Sequence, residues 1–238
     1  LFYFVYYNMK SNLSYITSII SILYSASIQI DGQFSDWNAD PTIFYYQDEM
    51  FDANGVDILD LAITNDENFL YIKLKLDREI DLHDDGFFNL SDLVIQIDSD
   101  NNSNTGYYIG GIGSEHGIRC SERWIWDNTE STLSIEPLES VQFRPAPTFT
   151  SDEYEFAIGR YPYGESIFND TIAILIQDLY SNDFIPGLDE KITYTFNDSY
   201  HNPIELIEIN KEDSELIRVM AYNTLSDGLT DNSRIDNF

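Results

Sequence analysis

Phe69-Leu70-Tyr71-Ile72-Lys73-Leu74-Lys75-Leu76 alternates with a period of two. Leu70, Ile72, Leu74 and Leu76 share one face, and Lys73 and Lys75 point the other way. That pattern is a strand with one side on a core and the other toward water. Similar runs recur on both sides of it: Thr42–Gln47, Asp57–Thr64, Leu93–Asp98, Tyr107–Gly111, Arg123–Asp127, Thr132–Glu136, Glu153–Arg160, Thr171–Asp178 and Lys191–Asn197. Turn formers such as Asn65-Asp66, Asn101-Asn102 and Pro186-Gly187 separate them. Thr171–Gln177 is apolar almost throughout, which suits a central strand. No long stretch carries a helical period, and no repeat of solenoid length is visible. The expected fold is all-β, an antiparallel β-sandwich of jelly-roll-like type, spanning residues 28–205.

Composition supports a packed core. Of 238 residues, 43% are hydrophobic and 15% aromatic, too many for a disordered chain. The formal net charge is -30, from 42 acidic against 12 basic side chains. Nucleic acid is gripped through Lys and Arg, so this balance argues against direct nucleic-acid binding by the sandwich. It also disfavours anionic membrane surfaces and suits divalent cations. Cys120 is the single cysteine, so an intrachain disulfide is excluded.

The N-terminus reads as a targeting segment. Met9-Lys10 precedes an apolar run from Leu13 to Ala26 that ends in the small residues Ser25-Ala26-Ser27. A positive start, an apolar middle and a small-residue end make a secretory signal peptide, expected here as a helix over residues 1–27. Residues 1–8 read as a mis-set start. The run is too short for a stable membrane span. The expected location is therefore secreted, periplasmic or extracellular.

The densest cluster of oxygen ligands is Asp98-Ser99-Asp100-Asn101-Asn102-Ser103-Asn104-Thr105-Gly106, directly after a strand. Asp98, Asp100, Asn102 and Asn104 present side-chain oxygens at alternate positions, and Glu115 can add another from the next strand pair. Hard cations such as calcium take six to eight oxygens. The second half departs from an EF-hand loop, with Ser103 at the turn position and Ile109 at the bidentate one. Asn and Asp also crowd turns for conformational reasons alone, so calcium and plain turn chemistry both account for the loop. Trp124 and Trp126 alternate on one strand and share a face. They can be core residues or, with Tyr107 or Tyr108, a platform for a sugar ring. His83, His116 and His201 are scattered without zinc-site spacing.

Two stretches resemble known families. Ile30-Asp31-Gly32, Asp36-Trp37, Asp57, Asn65-Asp66, Leu70-Tyr71-Ile72, Ile97-Asp98-Ser99-Asp100, Thr105-Gly106 and Gly111-Ile112-Gly113-Ser114-Glu115 follow an order similar to the DOMON-like sandwiches related to family 9 carbohydrate-binding modules. That resemblance implies a calcium-bearing accessory sandwich of a secreted enzyme, with carbohydrate as ligand in some members. After a charged linker at 206–215, Leu216-Ile217-Arg218-Val219-Met220-Ala221-Tyr222-Asn223-Thr224-Leu225 resembles the opening strand of the endonuclease/exonuclease/phosphatase superfamily. It implies a truncated α/β catalytic domain over 216–238, with Asn223 at the family's metal-site position and magnesium as its cofactor. The remaining metal-binding and catalytic residues of that family would lie beyond Phe238, so this chain is expected to be inactive while its parent is a metal-dependent phosphoesterase or nuclease. The alternative is a stand-alone secreted carbohydrate-binding or calcium-stabilised structural module.

Overall fold

The computed structural model describes residues 28–38, 43–48, 55–82, 91–121, 124–129, 133–187 and 189–197. The expected signal peptide, the linker at 206–215 and the segment 216–238 lie outside them. The described part is an antiparallel β-sandwich.

Its strands are β1 (Phe44–Gln47), β2 (Ile58–Asn65), β3 (Phe69–Ile80), β4 (Leu93–Asp98), β5 (Tyr107–Ile109), β6 (Ile112–Ser114) and β7 (His116–Arg119). The second half adds β8 (Trp124–Asp127), β9 (Ser134–Pro137), β10 (Arg144–Ala146), β11 (Ser151–Gly159), β12 (Thr171–Asp178), β13 (Asp183–Ile185) and β14 (Ile192–Thr195). One sheet has five strands in the order β1-β2-β3-β11-β10. The other has seven, β13-β12-β4-β7-β8-β9, with β14 also on β12. β5 and β6 form a separate hairpin.

Register explains the core. Across the first sheet Ile63 faces Ile72, which faces Phe156, and Leu61 faces Leu74, which faces Tyr154. Across the second, Ile176 faces Ile95, Ile95 faces Ile118, and Ile118 faces Ile125. These two inner faces merge into one buried apolar cluster. Lys73 and Lys75 point outward, where they pair with Glu153 at 2.9 Å and Asp152 at 2.7 Å. Such half-exposed ion pairs contribute little to stability.

The outer face of the first sheet is not left to water. Ala62 and Ala157 are small and make room for Trp37, which packs there with Ile28, Ile43 and Tyr71. The segment 28–38 is thereby laid across the sheet as a strap. Fully buried Glu155 fastens it. Its Oε1 accepts the amides of Asp31 (2.8 Å) and Gly32 (2.6 Å), and its Oε2 accepts the indole N–H of Trp37 (2.8 Å). Gly32 sits at φ +79°, a conformation in which a side chain would be strained.

β12 is buried on both faces because the β5–β6 hairpin covers its outer side. Ile112 packs there on Ala173 and Leu175, with Ile109 and Phe184 at the margin. β3 and β11 run longer than their sequence runs suggest, and β6, β7, β10 and β13 add strands of three or four residues.

Candidate functional site

β4 delivers Asp98 to the end of the second sheet, and the chain then turns through Asn101, at φ 55°. Asp98 is fully buried. Its Oδ1 accepts the Asn102 amide at 2.9 Å and its Oδ2 the Gly113 amide at 3.1 Å. Asp100 accepts the Asn102 amide at 2.9 Å and the Thr105 hydroxyl at 3.0 Å. Asn102 and Asn104 stay exposed and are bonded to each other, with Asn104 Nδ2 donating to Asn102 Oδ1 at 3.0 Å. Lys191, 90 residues on in the sequence, donates to Asn101 Oδ1 at 2.9 Å.

The hairpin folds back over this loop. At Gly113 a Cβ would stand 2.2 Å from the Thr105 carbonyl oxygen, and at Gly106 one would stand 2.6 Å from the Ser114 backbone. Only glycine permits either approach. The corner between β6 and β7 is Glu115, whose amide donates to the Ile97 carbonyl at 3.0 Å. The fold-back brings the carboxylates of Asp98, Asp100 and Glu115 together, with one oxygen of each within 4.8 Å of the others.

Glu115 is only 6% exposed. Its Oε2 accepts the amide and hydroxyl of Ser99 at 2.8 and 3.1 Å. Its Oε1 is buried and accepts no hydrogen bond. The Thr105 hydroxyl is the neighbouring donor, but its one proton is shared with Asp100 and the Asn102 carbonyl. Burial pushes the Glu115 carboxyl above its ordinary range, with Asp100 adding repulsion, while Ser99 and Thr105 pull the other way. Asp98 is raised as well, first by burial and then by Asp100, against the amides of Gly113 and Asn102. Three carboxylates with an unfilled buried oxygen form a donor set suited to a hard divalent cation.

The tryptophans lie on the outer face of the same sheet. Within β8, Ile125 points into the core, Trp124 is 45% exposed and Trp126 is half-buried. Across the sheet, Gln96 of β4 faces Gly117 of β7, which faces Trp126. A Cβ at Gly117 would stand 3.1 Å from Trp126 Cε3 and 2.9 Å from Gln96 Oε1. The indole therefore leans over the bare backbone of Gly117. Ile135 and Pro137 of β9 face Trp126 and Trp124 and extend the apolar surface. Tyr107 and Tyr108 are exposed too, but on the hairpin rather than on this sheet. Gly117 and Gln96 were not singled out in the sequence. A glycine inside a strand is the signal that finds the first, since it marks close approach of another group.

Asn223 lies outside the described residues. The expected magnesium site and catalytic domain therefore rest on the sequence of 216–238 alone. Among the described residues no helix is long and apolar enough to cross a membrane.

The class defined by these observations is an antiparallel β-sandwich with a carboxylate cluster at one end and an aromatic outer face. No family model and no curated protein sequence matches the chain. In structure it is similar to a family 9 carbohydrate-binding module from Caldicellulosiruptor kristjanssonii, solved in complex with cellotriose, at 13% identity and a TM-score of 0.38. That likeness covers 70% of this chain and 77% of the other.

Proposed function

We propose that the chain is a secreted carbohydrate-binding module whose acidic loop holds calcium. The observation that supports it most is Trp126 leaning over Gly117, with Trp124 exposed on the same face two residues away. A sugar ring offers one apolar face and a rim of hydroxyls, and an indole ring that leans along a sheet offers a matching surface. Arg119, held to Asp92 by an ion pair of 2.5 Å, stands beside Trp124 in register and supplies donors at its edge. Calcium at Asp98, Asp100 and Glu115 would neutralise part of the local negative charge and pin the hairpin to the end of β4.

Affinity electrophoresis and calorimetry against a panel of polysaccharides test the reading. A binding glycan is expected, and Trp124→Ala or Trp126→Ala should weaken it by roughly 30-fold, about 2 kcal/mol, as for a buried aromatic anchor. Gly117→Ala should act in the same direction, because the added methyl pushes Trp126 off the sheet, while the fold persists. Full binding by both tryptophan variants would place any sugar elsewhere.

A further inference from the structure

We infer that cation binding at Asp98, Asp100 and Glu115 sets the pose of Trp126, so that the metal regulates the aromatic face. This rests on the metal half of the function proposed above and needs no known sugar.

The two features occupy adjacent rows of one sheet face. Asp98 lies two residues beyond Gln96 on β4, and Glu115 lies two residues before Gly117. The Glu115 carbonyl accepts the amide of Asn128 at 2.7 Å, two residues after Trp126. Ser114, next to Glu115, donates its hydroxyl to Gln96 Oε1 at 2.8 Å. Gln96 Oε1 and the Trp126 ring then meet over Gly117. Glu115 is thus joined along the backbone to Ser114, and through the Ser114–Gln96 hydrogen bond to the group that shares the space over Gly117 with the indole.

A second arrangement is open to the middle of this path. Ser114 has one hydroxyl proton but two acceptors in reach, Gln96 Oε1 and the His116 carbonyl at 3.1 Å. Gln96 Nε2 is meanwhile buried without a partner. Turning the Gln96 amide over lets Nε2 donate to Ser114, while Ser114 donates to His116. A buried orphan donor is costly, so where Ser114 stands decides which way round the Gln96 amide is held. A cation drawing in Glu115 Oε1, the unfilled oxygen of the adjacent residue, supplies such a shift. A path between sites requires an element with two states that both sites bias, and the Gln96 amide is that element.

The test uses the full chain and calcium alone, with calorimetry for binding and tryptophan emission for the response. Calcium should shift the emission in step with the binding isotherm. Trp126→Phe and Gln96→Leu should keep calcium binding and lose the shift. Asp100→Asn, an outer member of the cluster, should lose both. Once a glycan is in hand, its affinity should differ roughly 5–150-fold with and without calcium, and the calcium affinity by the same factor. Binding heat with no emission change overturns the coupling and leaves the metal standing. So does a shift that survives in Trp126→Phe. No binding heat at all overturns the metal and the coupling together.

Discussion

Glu155→Ala lowers the melting temperature of the sandwich by roughly 6–12 °C, on a cost of about 3 kcal/mol and about 2–4 °C per kcal/mol for a domain of this size. Glu155 accepts from three donors of the strap, the amides of Asp31 and Gly32 and the indole of Trp37, and of these only the Asp31 amide also reaches another acceptor, the Gln29 carbonyl at 3.0 Å. Removing it orphans the Gly32 amide and the Trp37 indole under the strap. Part of that loss is returned, because burial raises the Glu155 carboxyl above its ordinary range against the pull of these same donors. Truncation removes that desolvation cost along with the contacts. Glu155→Gln is no rescue. Its amide nitrogen must face either the indole N–H or the two backbone amides, donor against donor. Both variants should release segment 28–38 and expose the Trp37 indole, seen as red-shifted emission before the main transition. An unchanged melting temperature in Glu155→Ala would mean that apolar packing of Trp37 holds the strap without the carboxylate.

The strands with one clear reading were legible because local pattern and tertiary burial agree there. Leu93–Asp98 and Thr171–Asp178 appear in the structure with the bounds read from the sequence. β6 and β7 escaped because they are short and interrupted by Gly113 and Gly117. Their extended state is imposed by β4 and by the loop they cover, which no local window contains. The carboxylate cluster divides the same way. Asp98 and Asp100 announce themselves by spacing, and Glu115 was within reach as the acid after the next turn. Its buried, half-satisfied state follows from the fold-back of the hairpin and has no sequence signal. Alternation placed Trp124 and Trp126 on one face, but Ile125 between them is equally apolar, so the pattern could not tell inside from outside. Gln96 stands inside an apolar strand with no local signal of its role, and the contact with Ser114 gives it a place.

Calcium at 100 times its dissociation constant should stabilise the domain by about 2.7 kcal/mol, a rise of roughly 5–10 °C in melting temperature. The gain depends on pH with a sign that identifies the ligands. In the metal-free protein Asp98 and Glu115 are raised above ordinary carboxyls. The fold therefore holds their protons more tightly than the unfolded chain does. Their contribution favours the fold in acid and is lost as pH rises from the ordinary carboxyl range through the raised values. Calcium binds the ionised forms, so its stabilisation is complete above those raised values and shrinks as pH falls through them. Glu115→Gln separates the two effects. It removes the charge but keeps the shape and an oxygen for Ser99, so the metal-free protein at neutral pH should melt at or above the wild-type temperature. The calcium increment should disappear. Asp60→Asn, on the other sheet, is the control and should leave the increment intact. Melting curves with calcium and with chelator across the acid range would read this directly. An increment that survives Glu115→Gln would place the cation elsewhere on this acidic surface, and the buried Glu115 oxygen would then need another partner.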